Sequence, residues 1–319
     1  MMRRDAVGPV VLLLALLATG CGGKGSSLPA LPSPARGGDF FLSLEHGGLD
    51  RSYVLHVPPS YRPPRPLPLV VVLHGAFNNA LGMARDTGFN ALADREGFLV
   101  AYPNGIGLQG KLQHWNGGFC CGKALRKQVD DVGFVAEVVA DVGRHLEVEE
   151  GGAYLAGMSN GGMLTYLIAV RRPDLVRAIG VVAGSFGRAP KAEGEAVPEG
   201  AGWALPWPPS PLTAILIHGR DDDRLPHSPT PPEQGAPISA LEAAAFWAAV
   251  DGCGAEPRVE RSGPIEERRW QDCSSGRSVV LFSLDGWPHA WPGGPRRQAA
   301  AGFDAATTLW QEWRQLEKR

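Results

Sequence analysis

Residues 154–166 read YLAGMSNGGMLTY, an apolar run that turns through Gly157-Met158-Ser159-Asn160-Gly161 straight into a second apolar run. The pentapeptide fits G-x-S-x-G, a turn that exposes a nucleophilic serine between a strand and a helix. Glycine supplies 42 of the 319 residues, so the match alone carries little weight and its flanks must decide. GAYLAG (152–157) reads as a buried strand and residues 160–172 as a helix ended by Pro173, which is the setting this turn requires. Gly157 and Gly161 suit a backbone packed too tightly for side chains. Ser159 would open the helix, where free amides and the dipole favour developing negative charge.

The same alternation extends in both directions. LPLVVVLH (67–74), GFLVAYP (97–103), VRAIGVVAG (176–184), LTAILIHG (212–219) and SVVLFSL (278–284) are short, continuous apolar runs, as expected of strands buried on both faces. RSYVLHV (51–57) alternates and is expected to be an antiparallel strand near the sheet edge. Helical spacing covers 80–96, 131–147 with Asp130 or Asp131 as its cap, 240–250 and 298–316. Strands alternating with helices predict an α/β fold, a mostly parallel central sheet with helices on both faces. No internal repeat is visible. Residues 185–211 (SFGRAPKAEGEAVPEGAGWALPWPPSP) form a long Gly/Pro-rich loop holding Trp203 and Trp207, either functional or a surface insertion.

Hydrophobic content of 44% and charged content of 20% are globular values, enough for a sizeable core. A net charge of −2 without an aromatic-interleaved basic patch excludes nucleic acid as an expected partner. Arg3 and Arg4 precede thirteen largely apolar residues, AVGPVVLLLALLA (6–18), a length that suits a signal peptide better than a membrane span of about 20 residues. Ala18-Thr19-Gly20-Cys21 is similar to a bacterial lipobox, which would make Cys21 the lipid-bearing residue and the membrane a partner through that anchor. The expected organisation is a signal peptide (1–20), a flexible Gly/Ser/Pro tether (21–38) and a catalytic domain (39–319). The chain is thus expected to be exported, either lipid-anchored to the cell envelope or, without lipid, secreted. Assigning Cys21 to lipid leaves Cys120, Cys121, Cys253 and Cys273 for an oxidising compartment, with three pairings open. No C-x-x-C zinc pattern occurs, and no metal is expected.

A serine hydroxyl becomes a useful nucleophile when a base takes its proton. His289 lies in DGWPHAWPGG (285–294), immediately after the last strand, where such a site assembles. His74 and His218 also end strands and compete with it by position, although each suits a structural role anchoring its loop. The acid is expected in IHGRDDDRLPH (217–227), which carries Asp221, Asp222 and Asp223. Serine, then aspartate, then histidine is the chain order of α/β-hydrolases. LHGAFNN (73–79) follows the strand expected to be third in a sheet of that kind, and the backbone amides of Ala76 and Asn160 would form the oxyanion hole. Trp115, Trp287 and Trp291 could wall a substrate cleft or simply pack in the core.

LHGAFNN, YPNGIG, WNGGFCCG, VDDVGF, GMSNGG, IHGRDD and GWPHAWPGG, in this order over about residues 40–296, resemble the esterase family of polyhydroxybutyrate depolymerases, feruloyl esterases and acetylxylan esterases. The resemblance implies an α/β-hydrolase fold without a large cap domain, and a serine esterase that needs no cofactor. It implies Ser159 as nucleophile, Asp222 as acid through the H-G-x-x-D spacing from His218, and His289 as base. It also implies a Cys253–Cys273 disulfide and an ester substrate, either a plant polysaccharide ester or a polyester. The rivals are a non-catalytic, polysaccharide-binding lipoprotein of the same fold, an acyltransferase and a peptidase.

Overall fold

The computed structural model describes residues 37–108, 111–187, 210–231, 236–295 and 302–316. The expected signal peptide, Cys21, nearly all of the tether and most of the 185–211 loop, with Trp203 and Trp207, lie outside the described residues.

In chain order the strands are β1 Gly38–His46, β2 Leu49–Val57, β3 Leu69–Leu73, β4 Leu99–Pro103, β5 Ile106–Leu108, β6 Lys111–His114, β7 Ala153–Met158, β8 Val176–Val182, β9 Thr213–Gly219, β10 Arg258–Ser262, β11 Ile265–Trp270 and β12 Val279–Leu284. The helices are α1 Ala80–Asp86, α2 Phe89–Glu96, α3 Gly122–Arg126, α4 Asp131–His145, α5 Asn160–Arg171, α6 Ala240–Val250 and α7 Ala305–Leu316. Ten strands form one sheet in the order β1-β2-β4-β3-β7-β8-β9-β12-β11-β10, and β5 and β6 form a separate hairpin. The six central strands from β4 to β12 run parallel, while β1 and β2 flank them antiparallel on one side and β11 and β10 on the other.

Central position follows from composition. All five residues of β3 (LVVVL) are buried. Val70 and Val72 join the core that contains Phe89, Phe98 and Trp310, whereas Val71 and Leu73 join the opposite core with Phe134, Leu164 and Trp247. At roughly 1.5–3 kcal/mol for each large apolar side chain removed from water, such a strand is stable only between two helical layers. Parallel strands put their carboxyl ends on one rim. The loops after β3, β7, β9 and β12, which carry Ala76, Ser159, Asp222 and His289, therefore share that rim.

The structure departs from the sequence pattern in several places. The helix expected over 80–96 is two helices, because Gly88 adopts a left-handed conformation (φ 81°) and Thr87 returns its hydroxyl to the Met83 carbonyl. A further strand, β1, lies outside β2, so 51–57 belongs to the second strand from the edge. The closing helix starts at Ala305. Of the two aspartates, Asp130 caps α4 by accepting from the Gly133 amide at 2.9 Å. Asp131 is buried instead and pairs with Arg51 at 2.7 Å. The β5–β6 and β10–β11 hairpins and α3 give little hydrophobic signal in sequence; RVERS of β10 is exposed throughout. A disulfide joins Cys253 to Cys273, tying the end of α6 to the β11–β12 connection, and the adjacent Cys120 and Cys121 are joined to each other. Among the described residues no helix is long and apolar enough to cross a membrane, and no cluster of three or more His, Cys, Asp or Glu side chains could hold a metal ion.

Candidate active site

The turn after β7 is strained at the serine. Ser159 has φ 52° and ψ −119°, a region that L-residues occupy only when their surroundings enforce it. The enforcement is visible in the glycines. A Cβ on Gly157 would collide with the Gly161 carbonyl, and one on Gly161 with the carbonyls of Leu73 and His74. The Ser159 amide donates to the Val182 carbonyl of the adjacent strand at 2.9 Å, so the hydroxyl is presented outward from a fixed backbone.

His289 Nε2 lies 2.8 Å from Ser159 Oγ, and His289 Nδ1 lies 2.8 Å from Asp222 Oδ2. The Asp222 side chain has no exposure and that of His289 has 10%. Burial alone would raise the Asp222 pKa. Hydrogen bonds from His218, His289 and the amides of Leu225 and Arg224 outweigh it and hold the carboxyl well below the usual carboxylate range. Both amides reach Asp222 Oδ1 at 2.9 Å, leaving Oδ2 to face the two imidazoles. Of the three consecutive aspartates, Asp222 is the one that meets His289.

His74 and His218 serve as props. His74 Nδ1 donates to the Gly75 carbonyl at 2.8 Å, and its Nε2 accepts the Gly105 amide at 3.0 Å. Burial pushes this imidazole down to about 4, against the opposing pull of the Gly75 carbonyl, so it is neutral at pH 7. His218 Nε2 faces both the Leu225 carbonyl at 3.1 Å and Asp222 at 3.2 Å, closing the loop that carries the acid.

Ala76 sits in the loop after β3, and the neighbouring Gly75 runs so close to the turn that a Cβ on it would lie 3.5 Å from Ser159 Cβ. Asn160, the other expected amide donor, is the first residue of α5. Its side chain has a role the sequence did not indicate. Asn160 Oδ1 accepts the Trp115 amide at 2.7 Å and its Nδ2 donates to the Trp115 carbonyl at 3.1 Å.

That clamp corrects one expectation. Trp115 is fully buried, lies tilted by 34° against the His74 ring with centroids 4.7 Å apart, and donates its indole N–H to the His74 carbonyl at 2.8 Å. It offers no face to a substrate and instead fastens the loop after β3 to the turn at Ser159. Trp287 is half-buried, and its indole N–H bonds the Ala290 carbonyl at 3.0 Å, bracing the turn that carries His289. Trp291 alone of the three borders the cavity beside His289, a space of about 330 Å³ also lined by Asn78, Met83, Asp86 and Met158. Behind Trp115, Asp131 accepts the Asn116 amide at 2.7 Å while paired with Arg51. Arg51 and Asp131 were discoverable as charged residues lodged at the starts of otherwise apolar segments.

Residues 51–196 match the family model described as esterase PHB depolymerase. The chain is 30% identical over 279 residues to "Putative esterase NocK" of Nocardia uniformis subsp. tsuyamanensis, covering 80% of this chain and 75% of that protein. It is 25% identical over 246 residues to feruloyl esterase B of Piromyces equi, spanning 75% of this chain and 42% of that longer protein. In fold it is similar to an acetyl xylan esterase from Aspergillus awamori, with a TM-score of 0.60 at 14% identity over 87% of this chain and 99% of the other.

Proposed function

This chain belongs to the esterase PHB depolymerase family and is a carboxylic ester hydrolase, and on that premise we propose that it works through Ser159, His289 and Asp222 by way of an acyl-enzyme. The observation that carries the proposal is the unbroken chain of two 2.8 Å contacts from the serine hydroxyl through the imidazole to a buried carboxylate. His289 Nε2 takes the Ser159 proton as Oγ attacks the ester carbonyl. The backbone amides of Ala76 and Asn160 then stabilise the oxyanion of the tetrahedral intermediate, a contribution of about 3–4 kcal/mol per donor in related chemistry. His289 returns the proton to the departing alcohol, and a water activated in the same way releases the acid. Asp222 keeps the proton of the neutral imidazole on Nδ1 and stabilises the imidazolium as it forms.

The substrate proposed is an ester of a plant polysaccharide or a polyester, the classes named for the feruloyl, acetylxylan and poly(3-hydroxybutyrate) relatives. Export and lipid attachment at Cys21 belong to the same proposal and rest on the stretch AVGPVVLLLALLATGC (6–21). Hydrolysis of 4-nitrophenyl acetate tests the chemistry: Ser159→Ala is expected to lower kcat by about 10⁶, as removal of such a nucleophile does. Labelling by a fluorophosphonate at any residue other than Ser159 would refute the assignment. Radiolabelled palmitate absent from the full-length chain in a bacterial host would refute the anchor.

A further inference from the structure

The peptide unit between Cys120 and Cys121 makes two bonds within one turn. Its carbonyl accepts the Gly117 amide at 2.6 Å, and its N–H donates to the Trp115 carbonyl at 3.2 Å. Together they close the turn 115–121 against the start of α5. The fit leaves no spare room: a Cβ on Gly117 would lie 2.9 Å from the Cys120 carbonyl oxygen, 2.9 Å from Met163 Cβ and 3.1 Å from Asn160 Nδ2. The Trp115 carbonyl is shared, because Asn160 Nδ2 donates to the same oxygen at 3.1 Å. Asn160, whose backbone amide is proposed for the oxyanion hole, is thus gripped through an oxygen that the Cys121 amide also holds.

The bond between Cys120 and Cys121 acts on that peptide unit. It closes a small covalent ring around the unit and restricts its rotation. A bridge between neighbours encloses almost no loop, so it takes little entropy from the unfolded chain; that kind of stabilisation grows with the number of residues enclosed. Cys253 and Cys273, separated by 20 residues, suit such a staple. The adjacent pair supplies local orientation instead, two hydrogen bonds away from the turn at Ser159. Neither of its cysteines is fully buried, which leaves the pair open to thiol exchange.

We infer that the Cys120–Cys121 disulfide is a redox-sensitive positioning element: oxidised, it fixes Asn160 through the shared Trp115 carbonyl; reduced, it frees the peptide unit and lowers turnover. A small thiol supplies both electrons. Its thiolate attacks one sulfur and expels the other as a thiolate, which takes up a proton. A second thiolate then attacks the mixed disulfide, so that two thiols leave as one small disulfide and the protein keeps two thiols. The inference rests on the ester-hydrolase reading of Ser159 and on the oxyanion role of the Asn160 amide.

The test uses the full chain, with 4-nitrophenyl acetate as substrate and the reductant removed before assay. Without reductant, iodoacetamide is expected to label neither Cys120 nor Cys121; after brief dithiothreitol treatment, peptide mass mapping should find both labelled. That reduction should lower kcat at least about tenfold, short of the loss on deleting an oxyanion donor, with KM within about twofold. Oxidised glutathione should restore the rate. Cys120→Ser combined with Cys121→Ser should show the low kcat of the reduced chain, ignore the thiol, and melt within about 3 °C of the parent. Cys253→Ser combined with Cys273→Ser should melt at least about 5 °C lower and keep the thiol response. If either double variant does not fold, mass mapping of the unsubstituted chain still reports which bridge opened when the rate fell. Labelling of both adjacent cysteines with kcat unchanged would overturn the inference. So would free thiols at these positions before reduction, or a fall in kcat matched by a large fall in melting temperature. An oxidised chain that neither turns over the ester nor reacts with a fluorophosphonate at Ser159 would instead refute the chemistry assigned to that serine.

Discussion

The two sides of the cleft are built on different physics. On the side formed by the loops after β3 and β7, neutral hydrogen bonds hold the backbone: His74 to Gly75 and Gly105, Trp115 to His74, and Asn160 to both the amide and the carbonyl of Trp115. On the side formed by the loops after β9 and β12, a buried carboxylate is held by two histidines and two amides. On the proposed mechanism the first side would present amide dipoles whose value depends on staying still; its polar groups are uncharged and its histidine is driven down to about 4. On the same mechanism the second would accept a proton and release it, and it keeps an ionised carboxylate beside an imidazole. On that proposal, preorganisation of dipoles and management of protons would fall to opposite walls.

The contrast yields an ordered set of expectations. Asp222→Asn, which keeps the shape but removes the charge, should lower kcat on a short aryl ester about 10⁴-fold. Asp221→Ala and Asp223→Ala should change it by no more than a few-fold, and equal losses at all three would erase the distinction between the walls. Behind the neutral wall, Asp131→Ala leaves Arg51 buried without its carboxylate and should cost about 3–5 kcal/mol in a urea unfolding titration. A variant as stable as the parent would show that the Trp115 loop does not depend on this pair.

Proton linkage supplies the next tests. Because His74 titrates near 4 when folded and near 6.5 otherwise, the unfolded chain binds more protons between those values, and stability falls as pH drops through that window. His74→Gln should remove up to about 2–3 kcal/mol of that acid-side loss, measured as unfolding free energy at pH 7 and pH 4.5. Away from both walls, Asp251 lies buried at the end of α6. Burial raises its carboxyl to about 7, against the lowering effects of the Leu212 amide and Arg277. Here the folded chain binds the extra proton, so stability falls as pH rises from about 4 to 7. Asp251→Asn should therefore gain about 1–2 kcal/mol at pH 8 and little at pH 4. A pH-independent gain would point to packing instead of charge.

Legibility in sequence tracked hydrophobic contrast. The buried central strands stood out because β-branched apolar runs cannot remain in water, and the turn at Ser159 stood out because glycines flank it where side chains would collide. The polar hairpins β5–β6 and β10–β11 bury too little to leave a pattern. Asp222 was distinguished from its two neighbours by a resemblance in spacing, since composition treats three adjacent aspartates alike. Trp115 illustrates the opposite difficulty: an indole can wall a cleft or brace a loop, and the choice depends on where its N–H finds an acceptor.

What the sequence determined alone was the alternation of strands and helices and the glycine-flanked serine turn, because each follows from local sterics or apolar periodicity; the roles expected of Asp222 and His289 came from a resemblance. What only the tertiary structure decided was convergence: that His289 reaches Ser159 across 130 residues, and that Asn160 grips Trp115. Those facts depend on distances between segments far apart in the chain, set by how the whole sheet twists and packs, and no local run of residues encodes them.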